Sequence, residues 1–257
     1  LLVLEDIRAN QTTLRSQVKV TKAAADIGGS QVWLAPGESF TVDEMLHALL
    51  LTSANDVAVA LAIDRAGSVP AFVARMNRRA AELGMTRTRF VTPSGLTYGK
   101  GPHDTTTARD VAKLSVALCR FPEALKYTST KQYILRRPGK PLELLNHNHL
   151  LESFPGCDGL KTGWTVAAHA SIVTTAKDKD IRVIAVVLGC QSPAGAKAEQ
   201  RLRDSLAADL MTQGLAKLKK IEAEKALRLA QTPARKTPVK AKKDEGFWEW
   251  LVDLFSF

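Results

Sequence analysis

Two short groups of polar residues could act together on a peptide. Ser53-Ala54-Asn55 falls between two predicted helices, where a hydroxyl and an amide can face a cleft instead of the packed core. Lys161-Thr162-Gly163 follows about a hundred residues later at the start of a predicted strand, and Gly163 allows a ligand backbone to lie close to that strand. Alone, each group is a weak signal, because Ser53 can equally cap the following helix. Together they offer a hydroxyl, an amide and an ammonium group, a set suited to a peptide with a free carboxylate.

Hydrophobic periodicity places these residues on particular elements. Thr41-Val42-Asp43-Glu44 is a capping box that begins a helix ending near Leu51, and a second helix runs from about Asp56 to Arg65. Two β-branched runs, 171–176 and 181–188, flank a charged turn at 177–180 and predict a hairpin. Further helices are predicted at 1–9, at 68–83, from just after 107 to 119, and at 196–230, where Gly214 is a weak point. Further strands are predicted at 17–20 and 132–136. Helices in the middle with antiparallel strands on either side indicate an α+β or three-layer domain.

The combination of S-x-N between helices with K-T-G on a later strand resembles penicillin-binding proteins and serine β-lactamases. The surrounding sequence resembles more narrowly the D-alanyl-D-alanine carboxypeptidases, which are low-molecular-mass penicillin-binding proteins, over residues 1 to about 218. The stretches that carry this resemblance are WLAPGE (33–38), TVDEML (41–46), SAND (53–56), LGM (83–85), TRF (88–90), TTARD (106–110), NHN (146–148) and DGLKTGWT (158–165). It implies a β-lactamase and transpeptidase type of α+β fold, in which an antiparallel sheet packs against helices beside a mostly helical subdomain.

The resemblance implies an acyl transfer to water. A serine attacks the peptide bond between the two terminal D-alanines of a peptidoglycan stem peptide and forms an acyl-enzyme, which water then hydrolyses. By the same resemblance, Ser53 relays a proton to the departing D-alanine, because an amine cannot leave as an anion. Asn55 hydrogen-bonds the substrate amide and the catalytic lysine. β-Lactam antibiotics are expected to acylate the intact enzyme, and no metal or other cofactor is implied.

The K-T-G strand supplies the remaining expected substrate contacts. Lys161 pairs with the free C-terminal carboxylate of the substrate, and Thr162 adds a hydroxyl to it. Gly163 lies in the same substrate-binding stretch. The backbone N–H of Trp164 is half of the oxyanion hole, whose other half is the N–H of the nucleophile. The resemblance also places the protein in the periplasm or elsewhere outside the cytoplasm, at the outer face of the cytoplasmic membrane.

The sequence departs from the family in its nucleophile segment. The family carries S-x-x-K at a helix start upstream of S-x-N, with the serine as nucleophile and the lysine as general base. Ser16-Gln17-Val18-Lys19 fits the letters, but it falls in a strand-like run and too close to Ser53. We therefore expect that the chain is truncated within a helix and that the motif lay a few residues before Leu1. A lesser departure is Ala168-His169, where the family usually has Ala-Gly.

The chain divides by composition into three parts. Residues 1–230 form the catalytic domain, 231–246 a Lys/Pro-rich linker, and 247–257 an amphipathic aromatic tail in the position of the family's membrane anchor. Of the net charge of +10, the stretch 213–245 contributes ten Lys or Arg against four Asp or Glu. The tail could lie in a membrane interface while the lysines meet head groups, or it could dock on the protein or stay disordered.

Several other functions and sites remain as alternatives. His147 and His149 form an H-x-H pair near Cys157 and Asp158, and a strand there would put both imidazoles on one face, but the family binds no metal at this position. A module that binds D-Ala-D-Ala without turnover and a serine β-lactamase are the main rivals, although no deacylation glutamate stands in a recognisable setting. A nucleic-acid binder is not expected, because the basic tail lacks interleaved aromatics. The three cysteines do not read as a disulfide framework.

The expected truncation predicts the outcome of labelling with a fluorescent penicillin. Mass spectrometry should detect the acyl adduct on a chain extended upstream by its coding sequence, and no adduct on residues 1–257 alone, because the proposed nucleophile precedes Leu1. Labelling of the shorter chain would contradict this prediction and would bring Ser16 back as a candidate.

Overall fold

The computed structural model describes residues 1–96, 101–137 and 139–231. The helices are α1 Leu2–Arg8, α2 Lys22–Ala25, α3 Val42–Thr52, α4 Asn55–Ala66, α5 Val69–Glu82, α6 Ala108–Cys119, α7 Pro122–Ser129, α8 Leu150–Ser153 and α9 Ala196–Gln231. The strands are β1 Gln17–Lys19, β2 Ser39–Thr41, β3 Gln132–Leu135, β4 Leu142–Leu145, β5 Cys157–Gly163, β6 Ala170–Asp178 and β7 Ile181–Cys190. They pair antiparallel in three sheets, β1-β2, β3-β4 and β5-β6-β7. The chain divides into two compact units, Leu1–Leu215 and Ala216–Phe257, and every element except the end of α9 lies in the first.

The helical part of the first unit is built around α3 and α4. The predicted capping box is confirmed: the Thr41 hydroxyl accepts from the Glu44 amide at 3.2 Å, and the Glu44 carboxylate accepts from the Thr41 amide at 2.8 Å. Helix α3 ends where Ser53 adopts φ 58° and ψ 40°, in the left-handed region. Because this conformation turns the chain, α4 leaves in a new direction, and its residues from Asn55 to Ala62 are buried.

A buried carboxylate connects α4 to the loop that precedes β2. Asp56 is fully buried, and its oxygens accept from the amides of Val32 at 3.2 Å and Leu34 at 3.0 Å. It also accepts from the Val57 amide at 2.9 Å. The carboxylate thereby replaces the water that these loop amides would otherwise need, and it holds residues 28–34 against the start of α4.

The three-stranded sheet carries the predicted substrate strand at its edge. Within the described residues β5 pairs with β6 alone, so its second edge is unpaired. The Arg182 guanidinium on β7 donates both Nη1 and Nη2 to Asp158 at 2.7 Å, and it thereby fixes the start of β5. Helix α9 lies close to β7 at Gly214, where an added Cβ would come within 3.2 Å of the Val183 side chain. Gly214 therefore serves close packing, and the helix continues through it.

Most predicted elements are confirmed, and the differences have local causes. The predicted α+β class agrees with the mixed helices and antiparallel sheets. The predicted length of the hairpin turn, residues 177–180, is wrong. Strand β6 ends at Asp178 and β7 begins at Ile181, so the turn is only Lys179-Asp180, with Lys179 at φ 55°. Helices α2, α7 and α8 and strands β2 and β4 had no prediction, because runs of three to eight residues show too little periodicity. The proposed linker and tail, 231–246 and 247–257, lie outside the described residues apart from Gln231.

Two further features concern the cysteines and the membrane. Cys119, Cys157 and Cys190 are all free thiols, as expected from their spacing. No described helix alone combines the length and apolar character needed to cross a bilayer. Helices α4 and α5 reach that length and apolar character only together, as a pair bent by 85°.

Replacing the buried carboxylate should destabilise the fold. We expect Asp56→Ala to lower the free energy of unfolding by about 3 kcal/mol, because it leaves buried amides of the loop without an acceptor. Urea denaturation followed by circular dichroism measures this effect. Asp26→Ala, which removes an exposed ion pair with Lys22, is the control and should change the value by less than about 1 kcal/mol. Equal effects of the two variants would contradict the role of Asp56.

Candidate functional site

The S-x-N group lies at the junction of α3 and α4, as predicted. Ser53 is half-buried at the end of α3, and Asn55 begins α4 and is buried. The Asn55 amide donates to the Ser30 carbonyl at 2.8 Å, and its side-chain Nδ2 donates to the Gly28 carbonyl at 2.9 Å. Gly29 adopts φ 80°, and a Cβ there would come within 2.5 Å of Asn55 Nδ2. The loop therefore needs glycine at this point to approach the asparagine so closely.

The K-T-G group occupies the end of β5, so the prediction that it stands at the start of a strand is wrong, because the strand begins four residues earlier, at Cys157. Lys161 is partly buried, and its Nζ donates to the Thr162 carbonyl at 2.9 Å. Because successive side chains alternate along a strand, Thr162 points to the opposite face, and it is buried, whereas Gly163 is exposed. Among the described residues no carboxylate forms an ion pair with Lys161. Desolvation and the positive charge of Arg203 lower the pKa of Lys161 to about 8.

Arg203 is a site residue that the sequence reasoning did not predict. It lies on α9, its side chain is 4% exposed, and its guanidinium contacts Asp204 Oδ1 at 2.8 Å. Its positive charge contributes to the lowered pKa of Lys161, so the two cations act on each other electrostatically. One signal could have revealed it: the buried face of α9 continues at four-residue intervals from Met211 through Ala207 to Arg203. An arginine buried next to apolar residues on a helix face is a candidate for a special role.

His147 connects the two predicted motifs. Its backbone amide donates to the Leu51 carbonyl at 3.2 Å, next to the end of α3. The pKa of His147 is lowered by desolvation and then by the positive charge of Lys161, so β5 also lies beside it. The structure thus places the α3–α4 junction and the K-T-G strand next to the same residue.

The expected strand geometry of the H-x-H pair is wrong. His147 and His149 lie in the turn between β4 and α8, since Asn146 and Asn148 use their side chains to bind local backbone amides and carbonyls. Their imidazoles therefore do not share a strand face. Within the described residues, no three or more His, Cys, Asp or Glu side chains gather in a way that could hold a metal ion.

Trp164 follows β5, and its side chain is held by a hydrogen bond. The indole Nε1 donates to Glu199 Oε2 at 2.8 Å, and His169 Nδ1 lies 2.9 Å from Glu199 Oε1. The hydrogen bond from Trp164, followed by the contact with His169, lowers the pKa of Glu199. Sequence reasoning singled out His169 as a departure from the family and missed its partner, Glu199.

Chemically, this region suits an anionic ligand that lies along β5. Lys161 lies on β5, whose second edge is unpaired among the described residues, and the positive charge of Arg203 acts on it. An extended peptide can add to such an edge through backbone hydrogen bonds, while its terminal carboxylate meets the cations. The roles predicted for Ser53, Asn55, Thr162 and Trp164 stay predictions.

Comparison with known proteins identifies the same family along most of the chain. The family model for D-alanyl-D-alanine carboxypeptidase matches residues 1–192. Carboxypeptidase DacF of Bacillus subtilis is 38% identical over 194 residues, which are 75% of this chain and 49% of DacF. Carboxypeptidase DacC of Escherichia coli is 34% identical over 221 residues, which are 83% of this chain and 52% of DacC. The chain thus spans about half the length of these curated relatives.

Solved structures share the fold. Carboxypeptidase DacD from Francisella tularensis superposes with a TM-score of 0.74 at 28% identity, over 82% of this chain and 60% of that chain. Penicillin-binding protein D2 from Listeria monocytogenes in its ampicillin-bound form gives a TM-score of 0.69 at 30% identity, over 83% of this chain and 82% of that chain. The predicted resemblance is therefore confirmed, and the chain belongs to the D-alanyl-D-alanine carboxypeptidase family.

Proposed function

We propose that this protein is a serine-type D-Ala-D-Ala carboxypeptidase that removes the terminal D-alanine from peptidoglycan stem peptides. Membership of the family supports the reaction class. The single observation that carries the substrate assignment is Lys161, a cation on β5 that pairs with no described carboxylate and lies on a strand whose second edge is unpaired among the described residues. An exopeptidase must recognise a chain end, and a terminal carboxylate is the only group that distinguishes the end of a stem peptide from its middle.

The electrostatics of the two cations favour a carboxylate ligand. The pKa of Lys161 near 8 means that its charge is destabilised by desolvation and by Arg203 when no anion is bound. A carboxylate placed beside both groups would offset the destabilisation of the Lys161 charge by desolvation and by Arg203. Binding energy from a part of the substrate that does not react can then orient the scissile bond.

The reaction itself proceeds by covalent catalysis. The family's serine Oγ attacks the carbonyl carbon of the penultimate D-alanine, and the lysine of S-x-x-K takes its proton. As the C–N bond breaks, Ser53 passes a proton to the leaving nitrogen, so that D-alanine leaves with an uncharged amino group. Water then attacks the ester and releases the shortened peptide. The Trp164 N–H stabilises the oxyanion in both steps, and Asn55 holds the loop at residues 28–30 beside the reacting groups.

The proposed inhibitors and location follow from this substrate. Penicillin-binding protein D2 from Listeria monocytogenes has been solved with ampicillin and with cefotaxime bound. We propose that β-lactams bind this protein as well, because their carboxylate and strained amide imitate the chain end of the stem peptide. Peptidoglycan lies outside the cytoplasmic membrane, so we place the protein there, in the periplasm or an equivalent space. Contact of the tail at 247–257 with the membrane surface remains part of this proposal.

Recognition of the carboxylate can be measured by calorimetry. We expect residues 1–257 to bind an N-acetylated peptide ending in D-Ala-D-Ala at least about tenfold more tightly than the same peptide with a C-terminal amide, because charge-assisted hydrogen bonds are lost. Lys161→Met should remove this preference, whereas Lys177→Met, an exposed lysine on β6, should leave it unchanged. Equal affinity for acid and amide would contradict the substrate assignment. The protein purified from its native source should also release D-alanine from the acid peptide, and failure to do so would contradict the enzyme.

Lys161 should also limit the stability of the free protein. Its pKa is about 8 in the fold against an ordinary value of 10.5. The unfolded chain therefore binds more protons between these pH values, and the cost of the charge is full below pH 8 and declines as the pH rises toward 10.5. We expect Lys161→Met to raise the free energy of unfolding at pH 7 by on the order of 1 kcal/mol, with a smaller gain at pH 10. Urea denaturation at both pH values tests this, and a gain that grows with pH would refute the assignment.

A further inference from the structure

We infer that Glu199 is a positioning residue, because its carboxylate holds Trp164 and His169, the two ends of the loop after β5, in one arrangement. The inference rests on the proposed function, since the arrangement matters only if a ligand lies along β5. It assigns a role in the site to the first turn of α9, which no motif in the sequence predicted.

The two bonds use different oxygens of one carboxylate. Oε2 accepts from Trp164 Nε1 at 2.8 Å, and Oε1 lies 2.9 Å from His169 Nδ1, so both contacts exist together. The Glu199 side chain is 7% exposed. Its position in the first turn of α9 suits a negative charge, because the helix dipole is positive there.

The backbone at Trp164 needs such a support. The ladder between β5 and β6 ends with the pair Gly163 and Ser171, so no strand hydrogen bond fixes Trp164. Gly163, which precedes it, allows a wide range of backbone angles. The indole is still 43% exposed, so packing alone does not hold it. The bond to Glu199 is therefore the contact that fixes Trp164, and with it the direction of the N–H proposed for the oxyanion hole.

The backbone conformation of His169 gives a reason for the second contact of Glu199. His169 adopts φ 53°, a left-handed conformation that glycine reaches without strain and that other residues avoid. The His169 amide donates to the Thr165 carbonyl at 2.8 Å, which closes the loop tightly. Its imidazole then reaches Glu199, and this contact offsets the strain of a non-glycine residue in that conformation.

Nuclear magnetic resonance of the ¹⁵N-labelled chain tests whether Glu199 holds Trp164. We expect Glu199→Ala to shift both the indole and the backbone amide resonances of Trp164, with the indole signal assigned by its loss in Trp164→Phe. Glu199→Gln keeps an acceptor for the indole and should give smaller shifts; it serves as the test variant if Glu199→Ala does not fold. Glu222→Ala, at an exposed position of the same helix, is the matched control and should move neither resonance. Unchanged Trp164 resonances in the Glu199 variants would overturn the inference.

Peptide binding separates positioning from a purely structural role. We expect Glu199→Ala to weaken binding of the D-Ala-D-Ala acid peptide by about tenfold while the ratio of acid to amide affinity stays as in the wild type, since Lys161 and Arg203 are unchanged. A shift of Trp164 without any loss of affinity would show that Glu199 is only structural, and the inference would be wrong. If the wild type does not distinguish acid from amide, the proposed function fails, and the Trp164 resonances still decide whether Glu199 positions this residue.

Discussion

The charge of Lys161, which no carboxylate pairs with among the described residues and on which the positive charge of Arg203 acts, is the constraint on which the rest of the site depends. Lys161 and Arg203 come from different elements, a strand and a helix, and each is at least partly removed from water. A cation without a paired anion lowers stability where it is removed from water. Arg203 has Asp204 as its partner, whereas Lys161 depends on interactions elsewhere in the fold, and we propose that a ligand carboxylate supplies its missing partner.

The supports of these charges are mainly buried polar contacts. Arg182 donates two hydrogen bonds to Asp158 at the start of β5. Helix α9 packs close to β7 at Gly214. On the other side of the site, Asp56 binds amides of the loop before β2. The contacts of Asp158 and Asp56 satisfy polar groups that are partly or fully removed from water, and the close packing at Gly214 adds to them, so the frame is rigid where the ligand is proposed to lie.

Helix α9 contributes more to the site than its place in the chain suggests. Its buried face carries Arg203, whose charge acts on Lys161, and Glu199, whose carboxylate binds both ends of the loop after β5. Four residues separate Glu199 from Arg203, so one face of one helix presents a negative and a positive group to the same strand. This division lets the helix hold the end of β5 with one residue and take part in anion binding with the other.

The sequence by itself determined the local features and the family. The Thr41–Glu44 capping box, the S-x-N junction and the K-T-G strand depend on neighbours a few residues away, and such short-range patterns are legible in one chain. It did not show short elements such as α7 and β4, which tertiary packing stabilises more than their own propensity does. Only the tertiary structure brought Arg203 to Lys161 and joined Glu199 to Trp164 and His169, across 35 and 30 residues of sequence. No local pattern encodes those pairs, because they exist only after α9 has packed against the sheet.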